Sequence, residues 1–248
     1  MNCRSIVFAA ALACVAVAPA AAGEPRAVVQ LFTSQGCSSC PPADRLMGQL
    51  AQDPTLITMS LPVDYWDYLG WKDTLALHGN STLQRDYAIT RGDREVYTPQ
   101  AVVNGVVHAL GSDKGAIERA IANTRGQGPL TLPVKLAVAE GTVKVHVPAA
   151  TGAHKSGEVW LFPVTDKARV KIGRGENRGR TITYVNVVRR WVKLGAWRGQ
   201  AEDFTLPVQK LAGAGYVLED VDHLAVIVQS GSAGQPGLML GAATASLH

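Results

Sequence analysis

Two cysteines stand three positions apart in Cys37-Ser38-Ser39-Cys40. A C-x-x-C pair brings two sulfurs close enough to close a disulfide. When it is reduced, one thiolate can attack a partner while the second resolves the mixed disulfide. The same spacing also suits an inert structural disulfide or half of a zinc site. A four-ligand zinc site wants more thiols or a close histidine pair, and none of His78, His108, His146, His154, His223 or His248 lies at metal-motif spacing to another. Two thiols with a sulfur from Met47 or Met59 would make a soft copper(I) site. Redox exchange is the reading that the surroundings of the pair favour, with no organic cofactor and no metal.

Those surroundings are a strand and a helix. Ala27 to Phe32 reads as a short buried strand, and Thr33-Ser34-Gln35-Gly36 as a turn leading to the cysteines. From Pro41 onward, Ala43, Leu46, Met47 and Leu50 fall on one helical face. Pro41 and Pro42 occupy the first turn, where backbone N–H groups have no intrahelical partner. The free N–H groups and the positive end of the helix dipole then lower the Cys37 pKa. Cys37 is the expected attacking sulfur and Cys40 the less exposed resolving one. Asp44 and Arg45 read as ordinary first-turn residues.

Leu56 to Leu61 predicts a second strand, followed by an irregular stretch, Val63 to Lys72, that carries Tyr65, Trp66, Tyr68 and Trp71. That stretch is either a lid or partner groove beside the cysteines or the packing of an inserted segment. Helical pieces are expected at Asp73 to His78 and Ser81 to Ala88. The turn Arg91-Gly92-Asp93-Arg94 then leads to Tyr97-Thr98-Pro99. Asn104-Gly105 between Ala101-Val102-Val103 and Val106-Val107-His108 signals a hairpin. Ser112 is placed to cap a helix running to about Asn123, with Ala116, Ile117, Ala120 and Ile121 as its buried face. Beyond Gly126-Gln127-Gly128-Pro129 the texture becomes strand-like, at Leu132 to Ala139, Thr142 to Val147, Glu158 to Val164, Thr181 to Trp191 and His223 to Gln229. The segment Arg169 to Arg180, with Arg174, Arg178 and Lys171, reads as a solvated basic loop.

The segment Phe32 to Pro41 (FTSQGCSSCP) resembles the active-site segment of the thioredoxin superfamily, and Thr98-Pro99 ahead of a hairpin resembles its cis-proline loop. With Asp64-Tyr65-Trp66-Asp67-Tyr68-Leu69-Gly70-Trp71 and Tyr97-Thr98-Pro99-Gln100, the chain is similar to a bacterial family of secreted, thioredoxin-like proteins of unknown function. The general resemblance covers roughly Ala27 to Arg125. It implies catalytic Cys37 and Cys40, joined as a Cys37–Cys40 disulfide, and a substrate groove shaped by Thr98, Pro99 and Trp66. The chain departs from ordinary thioredoxins at Gly36, where they carry tryptophan, and at Ser38-Ser39, which replaces their Gly-Pro. Its first strand lacks an acidic residue and offers only Gln30.

At 248 residues and 47% hydrophobic content, the chain can bury one large core or two ordinary ones. Residues 1–22 have the layout of a secretory leader: Arg4, then an apolar run from Ile6 to Ala18, then small residues through Ala22. Cleavage after Ala22 removes Cys3 and Cys14 and takes the formal charge from +4 to +3 through loss of Arg4. That surplus is too small to imply nucleic acid.

The expected organisation is therefore a leader over 1–22, an α/β thioredoxin-like domain over 23–126 and an all-β sandwich-like domain over 130–248. The expected protein is periplasmic or secreted, with no membrane span after cleavage. It exchanges disulfides with thiol or disulfide protein partners, a redox recycling protein among them. The rival is a non-catalytic binding module that keeps the disulfide for stability, or a copper(I) protein using the same cysteines.

Overall fold

The computed structural model describes residues 25–150, 153–213 and 215–248, so the leader expected over 1–22 lies outside the described residues. Strand β1 (Ala27–Thr33) runs into helix α1 (Pro41–Leu50), and the chain returns as β2 (Leu56–Pro62). β1 and β2 pair in parallel, and every residue of both is buried. A parallel pair without a polar face needs cover on both sides. Helix α2 (His78–Arg91), the hairpin β3 (Gln100–Val103) and β4 (Val107–Leu110), and helix α3 (Lys114–Thr124) complete the first half.

The β3–β4 turn is fixed by two residues with positive φ, Asn104 at 50° and Gly105 at 80°, the left-handed backbone that a tight hairpin turn calls for. Asn104 also accepts a hydrogen bond from Val28 N at 2.8 Å and donates one to Thr124 Oγ1 at 2.8 Å, tying the hairpin to β1 and α3. Asp113, not Ser112, caps α3, through a 2.9 Å bond from Ala116 N. Of the two helical pieces expected between 73 and 88, the first is not helical, because Asp73 to Leu77 is a turn anchored by the Asp73 carboxylate, and the second lies within one longer helix, α2.

After the Gly-rich connection come β5 (Lys135–Ala139), β6 (Thr142–Val147), a long β7 (Gly157–Lys171), β8 (Thr181–Val188), β9 (Val192–Trp197), β10 (Glu202–Pro207), β11 (His223–Ser232) and β12 (Gln235–Ser246). One nine-stranded sheet runs in the order β12-β11-β7-β8-β2-β1-β3-β4, with β9 also paired to β7, while β10-β6-β5 form a second, three-stranded sheet.

This architecture corrects the expected fold class. Strand dominates, three α-helices are present among the described residues, and there is no α/β thioredoxin-like domain followed by a separate sandwich. The large sheet crosses the Gly-rich connection through β2 and β8, at Ser60 opposite Val187. Ser60 Oγ donates to Val185 O at 2.7 Å, and Asn186 Nδ2 donates to Thr58 Oγ1 at 2.8 Å.

The cores explain the join. One face of β1 packs with α1 and α3 through Val29, Leu31, Leu46, Met47, Ile117 and Ile121. The other face, with Val28, Phe32, Met59 and Leu61, packs against Leu83 and Tyr87 of α2 and against Phe162, Ala225, Ile227 and Met239 of the C-terminal strands. The far side of those C-terminal strands is covered by the smaller sheet through Val143, Val145 and Val147.

A buried polar relay crosses the shared core. Tyr87 Oη donates to Gln30 Oε1 at 2.8 Å and accepts from Gln229 Nε2 at 3.0 Å, so one hydroxyl joins β1, α2 and β11. Tyr87→Phe leaves buried amide groups short of a partner, and equilibrium denaturation should show a loss of about 1–2 kcal/mol.

Candidate functional site

The cysteines lie where β1 gives way to α1. Cys40 is the N-cap of α1 with Pro41 at its first position, and Cys37 precedes the helix. The two are joined in a disulfide with Cα atoms 5.4 Å apart. Cys37 is only 1% exposed and Cys40 is fully buried, whereas Ser38 and Ser39 between them are exposed. Ser39 Oγ lies 3.4 Å from Cys37 Sγ and 3.4 Å from the carbonyl of Thr98, which it can donate to.

Thr98 and Pro99 precede β3, joined by a cis peptide bond, and Pro99 is buried while Thr98 is half-buried. Trp66 Nε1 donates to Thr98 Oγ1 at 2.8 Å. Trp66 also packs on Gly36, where an added Cβ would lie 3.0 Å from the Trp66 Cβ. The Trp66 Cβ and carbonyl thus close on position 36, an approach admitted because residue 36 has no side chain. The structure brings Cys37, Cys40, Trp66 and Thr98 into one neighbourhood, with Pro99 next in the chain.

Gln35 organises the opposite flank. Its N–H donates to Asp73 Oδ2 at 2.7 Å, its side-chain oxygen accepts from Trp71 Nε1 at 2.8 Å, and its side-chain NH₂ donates to Thr74 Oγ1 at 3.0 Å. The aromatic stretch is thereby fastened to the cysteine loop. The carbonyls of Gln35 and Cys37 both accept from Asn177 Nδ2, at 3.0 and 2.8 Å. Asn177 is fully buried and belongs to the tip of the β7–β8 hairpin.

Two carboxyls are buried beneath the loop. Asp44 follows Cys40 by one helical turn, its N–H bonded to the Cys40 carbonyl at 3.1 Å. Asp44 Oδ1 accepts from Thr33 Oγ1 at 2.7 Å, and Oδ2 has no partner. Burial pushes the Asp44 carboxyl up to about 7; the Asp73 charge adds to the rise, while the Thr33 bond and Arg45 oppose it. Asp73 is pushed up to about 6 by its own burial, against the hydrogen bonds it accepts from backbone N–H groups. Tyr184 on β8 is buried with an unpartnered hydroxyl, and burial together with the Asp44 and Asp73 charges raises its pKa.

Asp44, Asp73, Gln35, Asn177 and Tyr184 were missed in the sequence. A signal existed only for Asp44, which sits three positions before Met47 on the apolar face of α1 and four after Cys40. Met47 and Met59 are buried in different cores, so neither lends support to a copper site. Among the described residues no group of three or more His, Cys, Asp or Glu could hold a metal ion, and no helix is long and apolar enough to cross a membrane.

A mixed sheet that carries a C-x-x-C disulfide at a helix start, beside a cis-proline turn, defines the class. Residues 28–229 match the family described as "Protein of unknown function (DUF1223)", and the chain belongs to that family. An X-ray crystal structure of a protein from Agrobacterium tumefaciens, a structural-genomics target, is 32% identical with a TM-score of 0.75, covering 90% of this chain and 95% of that one. HBP35 of Porphyromonas gingivalis shares the fold at a TM-score of 0.58 and 12% identity, covering 90% of this chain and 76% of that one. A search of curated proteins returns no match.

Two measurements test this geometry. Asn177→Ala leaves the buried Gln35 carbonyl without a donor and the Cys37 carbonyl with only the Cys40 N–H at 3.3 Å, and denaturation should show a loss of roughly 1–2 kcal/mol. The folded protein holds the Asp44 proton more tightly than the unfolded chain, whose value is 3.8, so stability falls as pH rises from 3.8 toward 7. Asp44→Asn removes that cost. The variant should melt higher than the parent at about pH 8, by up to roughly 4 kcal/mol of stability, with the gain vanishing near pH 4.

Proposed function

We propose that this protein is an exported thiol-disulfide oxidoreductase that exchanges the Cys37–Cys40 disulfide with protein thiols. The observation that carries the reading is the disulfide at the start of α1 with a buried carboxyl, Asp44, one turn behind Cys40 and partnered on one oxygen only. A partner thiolate attacks Cys37 Sγ, the Cys37–Cys40 bond breaks, and Cys40 leaves as a thiolate that takes the Asp44 proton. A second partner thiolate then displaces Cys37 and closes the partner's disulfide, so two electrons pass from partner to protein. Every step is reversible, with the Asp44 carboxylate accepting the Cys40 proton in the other direction. A group that titrates near 7 suits both directions. Trp66 and the Thr98-Pro99 turn form the edge along which the partner lies. The disulfide itself fits an oxidising compartment, in keeping with the leader expected over residues 1–22.

One observation favours a second reading. Cys37 is 1% exposed, so Ser38-Ser39 or Trp66 must move before a thiolate reaches its sulfur. If they do not move, the disulfide is structural and the protein is a binding module.

Equilibration of the purified protein in graded glutathione buffers separates the two. Exchange requires a reduction potential within the range of roughly −270 to −120 mV spanned by thiol-disulfide enzymes. Cys40→Ser should then accumulate a mixed disulfide at Cys37, while Cys37→Ser should not. A disulfide that stays closed below about −300 mV, with no mixed disulfide in either variant, establishes the structural reading.

A further inference from the structure

The basic segment between β7 and β8 does not project into solvent away from the site. Its hairpin continues past the last strand pair, with Ile172 N donating to Arg180 O at 2.9 Å and Gly179 N donating to Ile172 O at 2.9 Å. Ile172 is fully buried in a small core with Leu75, Ile182 and Tyr184, which anchors the tip. Gly173 and Gly175 lie against Trp71, where an added Cβ would stand 3.0 and 3.5 Å from the indole side chain. Asn177 then holds the carbonyls of Gln35 and Cys37. The tip is therefore a wall of the cysteine site, built from the opposite half of the chain.

The wall is positive. Arg180 Nη1 donates to Asn177 Oδ1 at 3.0 Å, so one amide links a guanidinium to the Cys37 backbone. Lys171, Arg174 and Arg178 are exposed on the same tip, and none of these four cations has an ion-pair partner among the described residues. Arg45 on α1 and Lys72 after the aromatic stretch are also exposed. The acidic groups nearby are Glu176, exposed on the tip, and Asp67, whose carboxylate accepts from Asp73 N. Exposed Tyr68 adds an aromatic surface next to Leu69, whose carbonyl approaches Gly175.

Unpaired guanidinium groups on a hairpin tip fastened to the cysteine loop attract carboxylates and discriminate against cationic partners. We propose that the β7–β8 tip selects partners, and that it takes a peptide segment in which aspartate or glutamate flanks the reacting cysteine. The proposal rests on the exchange reading above. In the encounter the partner carboxylates lie on Arg174 and Arg178 while the neighbouring thiolate attacks Cys37 Sγ, and the bonds made and broken are those of the exchange already described.

The test uses three dithiol peptides that share a Cys-x-x-Cys core, flanked by glutamate, glutamine or lysine. Each reduces the oxidised protein, and mass spectrometry of quenched samples follows loss of the disulfide. Acidic neighbours change the peptide thiol pKa, so the quantity read is the glutamate-to-glutamine rate ratio compared between proteins, where that effect cancels. The ratio should fall about tenfold from the parent to Arg174→Glu/Arg178→Glu, with Arg174→Gln/Arg178→Gln between them. It should also shrink toward that of the double variant in about 0.5 M salt, with the lysine peptide responding in the opposite sense. Equal ratios in parent and variants overturn the proposal while leaving exchange intact, provided dithiothreitol and the glutamine peptide reduce the protein. A disulfide that neither dithiothreitol nor any peptide opens overturns both this proposal and the exchange reading.

Discussion

The parallel pair of β1 and β2 is the constraint that the rest of the molecule answers. All fourteen residues of these two seven-residue strands are buried, and backbone paired in parallel offers no face that can tolerate water. Helices α1 and α3 cover one side through Leu31, Met47 and Ile121. Helix α2 is too narrow to cover the other, and Phe162, Ala225, Ile227 and Met239 complete it from strands more than a hundred residues away. The free edge of β2 meets β8 for the same reason, since an unpaired strand edge invites association. A first half folded alone would expose Val28, Phe32, Met59 and Leu61.

The site inherits this dependence. The cysteine loop sits at the end of β1, where the strand runs out of sheet partners and its carbonyls must find donors elsewhere. Asn177 supplies two such bonds, and Gln35 turns the loop into a junction that also fixes Asp73, Trp71 and Thr74. The cysteine loop is thus held by side chains from two distant stretches, 71–74 through Gln35 and Asn177 through the Gln35 and Cys37 carbonyls. The geometry around the sulfurs belongs to the whole fold, and the C-terminal strands are structural partners of the cysteine site.

Charge is arranged in two layers around that loop. Inside, Asp44 and Asp73 are held in a dry environment that favours their neutral forms. Outside, Arg174, Arg178, Arg180 and Lys171 face solvent. In the proposed exchange, a thiolate formed at the cysteines has carboxyls of raised pKa on its buried side, and the cations outside favour its anionic form. The neutral turn Ser38-Ser39 separates the layers and presents no charge of its own.

By itself the sequence determined the local elements. β1, α1, β2, the Asn104-Gly105 hairpin, α3 and β6 are legible because each is specified by spacing, proline placement or turn chemistry within about a dozen residues. The cysteine pair, and its place between strand and helix, is legible on the same grounds. β9, β10 and β12 were not: β12 reads GLMLGAATAS after its proline, rich in glycine and alanine, and its strand conformation comes from pairing with β11.

Only the tertiary structure decided that the two halves share one sheet and one core, because pairing across the Gly-rich connection leaves no periodicity on either side of it. The same holds for Asp44, which looks like an ordinary first-turn acid until Thr33 and Tyr184 enclose it. Arg169 to Arg180 reads as a solvated basic loop until Asn177 lays its tip against Cys37. A residue's type is written locally, but its burial and its partners are set by chain brought from far away, and in this protein those two properties turn a common cysteine spacing into a particular site.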